Sequence, residues 1–381
     1  MNDSEARSWV AKELVDLVAI PSPSEKEHDA VDHLESRCEA WGLPVARTPV
    51  DGAADDLLIG WSSRPTLLLT AHIDTVTPTW SWEAEAADGV VRGLGAADCK
   101  GSVIAFSLGL VLALERGVDL LEMPVALGVC VDEELLGRGS IVMAKAQRPR
   151  FVIAGEPSLL DVGVAEAGFV DAICEVRGVS AHGSFPERGD NAIEKAARLL
   201  LAVHDEPFTR VEHPLLGRNH PGTLWIEGGG ELHVVPDRAR VRIEIRVVPG
   251  GPTAAAIETR LRELAAEHDA DVELVEESVE PFETDARGPL AEAVLEANRR
   301  FREISPTQIG VPAWTDAHNF VDLAGSQAVV WGPGDVGLAH DPGEEIEVRE
   351  VVTAARVVEE LLASSAGWMG SSAYRPDEGE G

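Results

Sequence analysis

Residues 66–75 read TLLLTAHIDT, an apolar run that passes directly into His72 and Asp74. The same arrangement returns in VALGVCVDEE at 125–134 and in FVIAGEPS at 151–158. Short apolar runs bounded by turn residues are typical of strands that are covered on both faces of a sheet. Because segments with helical spacing lie between the runs, the sequence predicts an α/β fold with a mainly parallel sheet and helices on both faces.

The helical spacing of apolar residues continues on either side of the three runs. It predicts helices at residues 4–18, 25–41, 101–115, 139–146, 290–302 and 349–362, with a further strand at 328–331. Asp3 or Ser4 is the expected cap of the first helix.

The segment 168–283 has a different pattern of apolar residues. It predicts strands and helices in the order βαββαβ, which is that of a ferredoxin-like unit. In its strand at 241–247, apolar residues alternate with charged ones, so one face of the strand is buried and the other meets solvent or a partner. We therefore expect a large domain formed by residues 1–167 and 284–366, into which the ferredoxin-like domain is inserted. Residues 367–381 are expected to be a disordered tail.

Acidic residues outnumber basic ones, 66 to 32, and the formal net charge is −34. A field of this sign repels a phosphate backbone, so nucleic acid is excluded as a partner. The same field attracts metal ions and cationic substrates, although a solvated acidic surface adapted to a salty environment accounts for the charge as well. The composition therefore narrows the class of partner without naming a substrate.

The sequence shows no membrane or secretory segment. Its N-terminal residues lack a basic segment followed by an apolar one, and the most apolar stretch, at 102–114, is too short to span a bilayer. The four cysteines lie far apart and form no CxxC pair, which is typical of reduced thiols. We therefore expect a cytoplasmic protein that has no membrane partner.

Candidate ligands follow each of the apolar runs. Glu133 and Glu134 come after the second run, and Glu156 comes after the third. Because binding sites in open α/β sheets lie beyond the carboxyl ends of the strands, these side chains should meet His72 in one crevice. Two glycine-rich loops supply further candidates, Asp98 in GLGAADCKGS and His340 in GPGDVGLAHDPGE.

These donors suit a pair of divalent metal ions. Two imidazoles and several carboxylates are typical ligands of Zn²⁺, and they also accept Co²⁺ or Mn²⁺. With three carboxylates ionised and both imidazoles neutral, two divalent cations and one hydroxide balance the charge. Five ligands serve two ions only if one carboxylate bridges them, and Asp98 on its tight turn is our candidate. Ions about 3.5–4 Å apart would hold a water whose pKa falls to about 7.

Two further acidic residues would act around the ligands. Asp74 lies two residues after His72, on the same side of an extended segment, where it can accept a hydrogen bond from the second ring nitrogen. The adjacent Glu133 and Glu134 cannot both face one way in a regular strand. A turn at the end of the strand can bring one of them to the metal and leave the other beside the water as general base.

Each motif also has a plainer explanation. His72 and Asp74 could form a buried structural pair, the DEE sequence a solvated or helix-capping cluster, and GEPS a simple turn. Ser180 or Ser184 in SAHGS could be the nucleophile of a single-metal esterase, although no strand–GxSxG–helix elbow surrounds them. The convergence of the motifs outweighs each one alone, so we favour the metal centre.

With these residues assembled, the sequence resembles a zinc-dependent family that contains acetylornithine deacetylase, succinyl-diaminopimelate desuccinylase, aminoacylase and glutamate-releasing carboxypeptidases. The resemblance covers nearly the whole chain, through the motifs LVAIPSPSEKEHD, AHIDTV, GLGAADCKG, DEELLGRGS, AGEPS, VSAHGSFPERGDNAI, VVPD and GPGDVGLAHDPGEEIE. It implies a catalytic domain at residues 1–167 and 284–366, a lid and dimerisation domain at 168–283, and a homodimer.

The resemblance also implies that three ligands hold each metal and that one aspartate bridges the two ions. The first set is His72, Asp98 and Glu156, and the second is Asp98, Glu134 and His340. Glu133 matches the general base of the family, and Asp74 matches the residue that orients His72. A cis peptide bond is implied after the bridging aspartate, between Asp98 and Cys99.

In the inserted domain, His182 matches a histidine that reaches the neighbouring subunit's site and stabilises the oxyanion. Arg246 matches an arginine that grips the substrate carboxylate, although it could also be an ordinary surface arginine. Asn191 would assist in substrate binding or act as a simple N-cap. His233 stands in HVVP, where many members have an asparagine that contacts the substrate, which leaves the preferred acyl group and amino acid open.

The sequence therefore predicts a cytoplasmic, homodimeric metallo-amidohydrolase that cleaves an N-acyl amino acid, with N-acetylornithine or a near relative as the small-molecule substrate. Glu156 and the segment GPGDVGLAHDPGE resemble the acetylornithine-deacetylase group most closely. A desuccinylase or an aminoacyl carboxypeptidase on the same site is the alternative within this chemistry. A catalytically silent binding protein on the same fold is the alternative from another class.

Overall fold

The computed structural model describes residues 1–302 and 304–370, without the side chain at position 366. The chain divides into two compact units. Unit 1 comprises the described residues of Met1–Val164, Thr284–Ile309 and Thr315–Gly381, and unit 2 comprises Ala165–Glu283 and Gly310–Trp314. Unit 2 therefore interrupts unit 1 along the sequence.

The secondary structure of the described residues consists of α-helices, strands and short helical turns. The helices are α1 Asp3–Val18, α2 His28–Ala40, α3 Gly101–Glu115, α4 Arg138–Gln147, α5 Ala192–Asp205, α6 Ala254–Glu267, α7 Pro289–Arg299, α8 Asp316–Ala324 and α9 Val348–Trp368. The strands are β1 Val45–Thr48, β2 Asp56–Ile59, β3 Leu67–His72, β4 Glu85–Ala87, β5 Val90–Arg92, β6 Val125–Cys130, β7 Phe151–Ala154, β8 Val162–Glu166, β9 Gly168–Arg177, β10 Glu212–His213, β11 Gly217–Arg218, β12 His220–Gly228, β13 Arg238–Val247, β14 Ala270–Leu274, β15 Phe282–Glu283, β16 Gln308–Val311, β17 Gln327–Val330 and β18 Glu345–Glu347. The short turns are Ala96–Lys100, Pro186–Arg188, Pro207–Arg210 and Val336–Leu338.

The central sheet of unit 1 has the strand order β1-β2-β6-β3-β7-β17-β8. The central strands β6, β3, β7 and β17 run parallel, and antiparallel neighbours flank them at both edges. Every residue of β3, β6 and β7 is buried, which explains why their sequences are continuous apolar runs. The predicted mixed α/β fold with a mainly parallel central sheet is confirmed.

Helix α3 lies in the core of unit 1. Its Phe106 stacks on Trp331, with the ring centroids 6.2 Å apart. A Cβ atom at Gly109 would lie 2.5 Å from Cγ1 of Val358, so the absence of a side chain lets α3 approach α9 closely. The stretch Ala96–Glu115 is apolar and long enough to cross a membrane, but 83% of its apolar window is buried inside the fold. Its composition is therefore explained by packing in the core.

The main sheet of unit 2 has the strand order β12-β13-β9-β14, and all neighbouring strands are antiparallel. The buried side chains of β9 and β13 form a second hydrophobic core with those of α5 and α6. On β13 the buried residues alternate with partly exposed ones, as the sequence pattern predicts. One of the latter, Arg242, forms a bidentate ion pair with Asp171 of β9.

The predicted cap of the first helix is wrong. Asn2, rather than Asp3 or Ser4, caps α1, since its side chain accepts a hydrogen bond from the N–H of Glu5. The Glu5 carboxylate accepts in return from the N–H of Asn2, which completes a capping box. The sequence rule pointed to the right type of residue one position too late.

Three predicted helix ends are also wrong, and one of them is that of α7, which ends at Arg299 rather than at residue 302. α2 begins at His28 rather than at residue 25, because Glu25 has a left-handed backbone with a φ of 70°. α9 continues beyond residue 362 to Trp368, whose ring packs 5.7 Å from that of Phe151. The predicted tail therefore starts too early, and its residues 371–381 lie outside the described part of the chain.

Candidate metal centre

His72 and Asp98 form the middle of the candidate site. His72 is the last residue of β3, and Asp98 lies in the turn Ala96–Lys100 that leads into α3. The ring Nε2 of His72 lies 3.1 Å from Oδ1 of Asp98. The peptide bond between Asp98 and Cys99 is cis, as the resemblance implies.

His340 approaches the second oxygen of the same aspartate. Its Nε2 lies 3.4 Å from Oδ2 of Asp98 and 2.9 Å from Oε1 of Glu134. Two imidazoles thus face the two oxygens of one carboxylate. This is the arrangement that a carboxylate shared between two metal ions requires.

The donor atoms fall into three overlapping groups, within each of which all atoms lie no more than 4.8 Å apart. The first group is His72, Asp98, Glu156 and Cys99, the second is His72, Glu133 and Glu134, and the third is Asp98, Glu134 and His340. The five predicted ligands therefore lie together in unit 1, and the first and third groups contain the two sets that the resemblance implies. Cys99 was not predicted as a neighbour; burial raises the pKa of its thiol, which faces the carbonyl oxygen of His72 at 3.6 Å.

Glu133, the predicted general base, lies beside these donors. One of its oxygens is 3.9 Å from Nε2 of His72, and Oε2 of Glu156 is equally distant from that atom. The preceding residue, Asp132, has a left-handed backbone with a φ of 64°. Its buried carboxylate pairs with Nε and Nη2 of Arg138 at 2.6 and 2.8 Å. This ion pair fixes the turn that carries Glu133.

Asp74 approaches His72 with both its main chain and its side chain. Its backbone carbonyl oxygen lies 3.1 Å from Nδ1 of His72, and a carboxylate oxygen lies 3.5 Å from the same nitrogen. The carboxylate accepts hydrogen bonds from the N–H groups of Glu133 and Glu134, both at 3.1 Å, and from the hydroxyl of Ser24 at 2.8 Å. The main chain and the carboxylate of Asp74 thus both face the imidazole, and the carboxylate also holds the segment with both glutamates.

The electrostatics of the cluster suit bound cations. Burial disfavours the ionised carboxylates, so it raises the pKa of Glu156 to about 8 and that of Glu133 well above its usual range. Hydrogen bonding to Asp98 and Glu134 raises the pKa of His340 to about 10. Protons and divalent cations compete for such crowded oxygen and nitrogen donors. The donor set therefore fits ions that prefer imidazole and carboxylate ligands.

The other predicted site residues lie in unit 2. His182 is exposed, and its Nδ1 accepts a hydrogen bond from the N–H of Ser184 at 3.1 Å. The segment with His182 pairs with the segment of His233, since the N–H of Gly183 donates to the carbonyl of His233 at 2.5 Å. His233 itself is exposed and has a left-handed backbone with a φ of 63°.

Arg246 and Asn191 have partners within unit 2. The side chain of Arg246 is 37% exposed, and its guanidinium lies 3.1 Å from Oε1 of Glu244. Asn191 caps α5, because its side chain accepts hydrogen bonds from the N–H groups of Ile193 and Glu194. The capping role considered from the sequence is therefore present in the structure.

Glu344 and Asp316 are buried acidic residues near the donor atoms that were not predicted. Glu344 accepts hydrogen bonds from the N–H groups of Ala97 and Asp98. Its place four residues after His340, in the same motif, is a signal that the sequence did contain. Asp316 begins α8 and is also buried, and burial raises its pKa to about 7. Since α8 was not predicted, no sequence pattern drew attention to this residue.

Comparisons with known proteins define the class. Residues 68–364 match the description "Peptidase family M20/M25/M40". The chain is 30% identical to an acetylornithine deacetylase of Myxococcus xanthus over 378 residues, which cover 93% of this chain and 97% of the relative.

Solved structures agree in fold. The chain is similar to an M20 family metallo-carboxypeptidase, Sso-CP2 of Sulfolobus solfataricus, with a TM-score of 0.77 and 17% identity over 95% of this chain and 99% of that one. It is also similar to YXEP of Bacillus subtilis, a dinuclear metal binding peptidase of the same family, with a TM-score of 0.68 and 15% identity over 96% and 99% of the two chains.

The chain belongs to peptidase family M20/M25/M40. It is accordingly an enzyme that hydrolyses amide bonds. The resemblance inferred from the motifs is confirmed, and the alternative of a catalytically silent binding protein is set aside.

Proposed function

We propose that this enzyme removes the acyl group from an N-acyl amino acid, N-acetylornithine or a near relative, at a centre of two metal ions. The proposal rests on the position of Asp98 between two histidines. Its Oδ1 lies 3.1 Å from Nε2 of His72, and its Oδ2 lies 3.4 Å from Nε2 of His340. A carboxylate that faces two ligand sets is placed to bridge two ions. The dinuclear character of YXEP supports the same number of ions.

The five ligands would hold the ions in two sets. These are His72, Asp98 and Glu156 for one ion and Asp98, Glu134 and His340 for the other. When bound, divalent cations such as Zn²⁺, or alternatively Co²⁺ or Mn²⁺, polarise the scissile carbonyl and lower the pKa of a water. The contacts of Asp74 would keep His72 and the segment with Glu133 and Glu134 in position.

Glu133 would act as the general base. Its carboxylate takes a proton from the attacking water and later delivers it to the leaving nitrogen. Addition of the water oxygen forms the C–O bond and an oxyanion, and the C–N bond breaks as this oxyanion returns to a carbonyl. The second proton of the water also passes to the nitrogen, so the products are an ammonium group and the carboxylate of the acyl group. The hydrogen bonds from the N–H groups of Glu133 and Glu134 to Asp74 support this assignment, since they fix the backbone that carries the base.

We assign two residues of unit 2 to the substrate. The exposed imidazole of His182 suits donation to the oxyanion that forms at the carbonyl. The planar guanidinium of Arg246 suits a bidentate grip on the amino-acid carboxylate, which would compete with its present partner Glu244. Asn191 retains its amide N–H groups for a contact while its oxygen caps α5, and His233 would help to set the substrate preference.

We further propose that unit 2 is a ferredoxin-like lid and dimerisation domain. The order β9-α5-β12-β13-α6-β14 and the antiparallel sheet support the ferredoxin-like assignment. β12 lies at the edge of this sheet and carries Leu224 and Ile226, which are 52% and 47% exposed. An open strand edge with exposed apolar side chains is suited to pairing with a second copy of the chain.

An acetylornithine-type activity would place the enzyme in the cytoplasm and in arginine biosynthesis. A desuccinylase or an aminoacyl carboxypeptidase would use the same metal centre. The metallo-carboxypeptidase Sso-CP2 shares the fold, and the sequence has His233 where many relatives have an asparagine, so these substrates belong in the test.

The test is a panel of N-acetyl, N-formyl and N-succinyl amino acids and short peptides, assayed for released amine before and after treatment with a chelator. We expect release from an N-acetyl amino acid with a basic side chain, loss of activity on chelation, and recovery on addition of Zn²⁺ or Co²⁺. Glu133→Gln serves as the background control. Preferential release from N-succinyl substrates or peptides would instead favour the alternatives, and hydrolysis that is insensitive to the chelator would contradict the metal centre.

A further inference from the structure

Glu344 is buried at the metal centre and makes contact with the predicted bridging ligand. It is 2% exposed, and one carboxylate oxygen, Oε1, accepts hydrogen bonds from two successive backbone N–H groups. These belong to Ala97, at 2.9 Å, and to Asp98 itself, at 3.1 Å. The donors are more than 240 residues away in the sequence, so the contact joins two distant segments of the chain.

The main chain around Glu344 is fixed as firmly as its side chain. Glu344 directly precedes β18, which pairs with β5, and its carbonyl accepts a hydrogen bond from the N–H of Gly93 at 3.0 Å. Gly93 begins the loop that contains Asp98. On the other side, Glu344 stands four residues after His340, whose ring faces Asp98 and Glu134. Glu344 therefore lies where the loop of one ligand meets the loop of another.

The arrangement repeats what Asp74 does elsewhere in the site. The carboxylate of Asp74 accepts from the N–H groups of Glu133 and Glu134, and that of Glu344 accepts from those of Ala97 and Asp98. Each buried carboxylate thus holds the backbone of a segment that carries a candidate ligand. A backbone held at its N–H groups cannot rotate to withdraw its side chain from the site.

We propose that Glu344 is a positioning residue that sets the orientation of Asp98 and ties it to the loop of His340. This inference rests on the proposed metal centre. The role requires a hydrogen-bond acceptor at the position of Oε1 and does not require a negative charge. The second oxygen, Oε2, is buried and has no hydrogen-bond partner among the described residues. The carboxylate also interacts electrostatically with the N–H of Gly95 and with the buried ammonium of Lys100, so Glu344→Gln tests directly whether the charge matters.

Three variants separate the hydrogen bonds from the charge. Glu344→Gln keeps an oxygen acceptor and removes the charge, whereas Glu344→Ala removes both. Glu344→Asp keeps the charge but draws the acceptor back by one methylene group. Glu345→Gln is the matched control, because the neighbouring Glu345 forms only a surface ion pair with Arg92, at 2.9 Å, and such exposed pairs contribute little.

The measurement is the titration of the metal-free full-length chain with Co²⁺, followed by visible absorption in competition with a chelator. Loss of a residue that orients a ligand typically weakens metal binding by about 10–100-fold. We expect such a loss, with a changed Co²⁺ absorption band, for Glu344→Ala and Glu344→Asp. Glu344→Gln and Glu345→Gln should keep the affinity within about threefold of the wild type and the band unchanged.

The controls distinguish the failure of this inference from that of the proposed function. If the wild-type chain fails to bind Co²⁺, the metal centre itself is wrong. If the wild type binds Co²⁺ and Glu344→Ala binds it equally well with the same spectrum, only the role of Glu344 is overturned. A loss in Glu344→Gln as large as that in Glu344→Ala also overturns it, since the charge would then matter. If Glu344→Ala does not fold, Glu344→Asp with a native melting curve decides by the same criteria.

Discussion

Removal of the Asp74 carboxylate should damage both the stability of the fold and the chemistry of the site. The carboxylate accepts three hydrogen bonds, from two backbone N–H groups at 3.1 Å and from the hydroxyl of Ser24 at 2.8 Å. Asp74 is fully buried, so water does not replace these contacts in the folded state. The variant Asp74→Ala leaves the N–H groups of Glu133 and Glu134 without their acceptor.

The expected loss in the free energy of unfolding follows from the two hydrogen bonds that backbone N–H groups donate to Asp74. A hydrogen bond to a charged group contributes about 1.5–3 kcal/mol to the free energy of unfolding, so two of them contribute about 3–6 kcal/mol. Removing a buried carboxylate also removes its own desolvation penalty, which offsets part of the loss. We therefore expect Asp74→Ala to lower the free energy of unfolding by about 3 kcal/mol. Because Glu133 and Glu134 are then no longer held in position, kcat/KM should fall by about 10–100-fold.

Urea unfolding of the metal-free chain measures the first effect, and steady-state hydrolysis at saturating Zn²⁺ measures the second. Asp285→Ala is the matched control, since this exposed aspartate also accepts one backbone N–H, that of Arg287 at 2.9 Å. The control should change the free energy of unfolding by less than about 0.5 kcal/mol. If Asp74→Ala behaves like Asp285→Ala in both assays, the carboxylate does not hold the segment of the predicted base, and the reasoning is refuted.

Three other changes test separate parts of the account. Glu133→Gln should retain its metal by elemental analysis yet lose about 10²–10⁴-fold in kcat, and a near-normal rate would remove this residue as the base. His182→Ala should lower kcat by about 10²–10³-fold at unchanged metal content, whereas loss of metal would contradict an oxyanion role. Gly109→Ala should lower the free energy of unfolding by about 1–3 kcal/mol, because the new Cβ would meet Val358 at 2.5 Å. Its control, Gly367→Ala on the open side of α9, should instead add up to about 1 kcal/mol, and equal melting temperatures for the two variants would contradict the packing of α3 on α9.

The sheet was predictable because burial on both faces leaves a direct mark on the sequence. The strands β3, β6 and β7 are fully buried, and their apolar runs end at the residues that reach the site. Strands without such runs left weaker marks. β1 is a partly exposed edge strand of four residues, and it was not predicted.

The candidate ligands and the position of Asp74 beside His72 were predictable from chemistry, whereas the contacts of Asp74 and Glu344 with backbone N–H groups were not. Imidazoles and carboxylates at strand ends and glycine-rich turns indicate metal binding by their type alone. The contact of Glu344 with the N–H of Asp98 spans 246 residues, and the contact of Asp74 with the N–H of Glu133 spans 59. A backbone N–H can be donated by almost any type of residue, so the sequence gives no sign of the donor. Only the acidic acceptor of each contact can be recognised from its residue type.

The number of metal ions that activity requires tests the central claim most directly. The metal-free chain is titrated with Zn²⁺ or Co²⁺ while hydrolysis of an N-acetyl amino acid is followed. Two ions that share the carboxylate of Asp98 predict full activity only after two equivalents per chain, and no activity for Asp98→Ala at any metal concentration. Full activity without added metal after exhaustive chelation, or an active Asp98→Ala variant, would contradict the account.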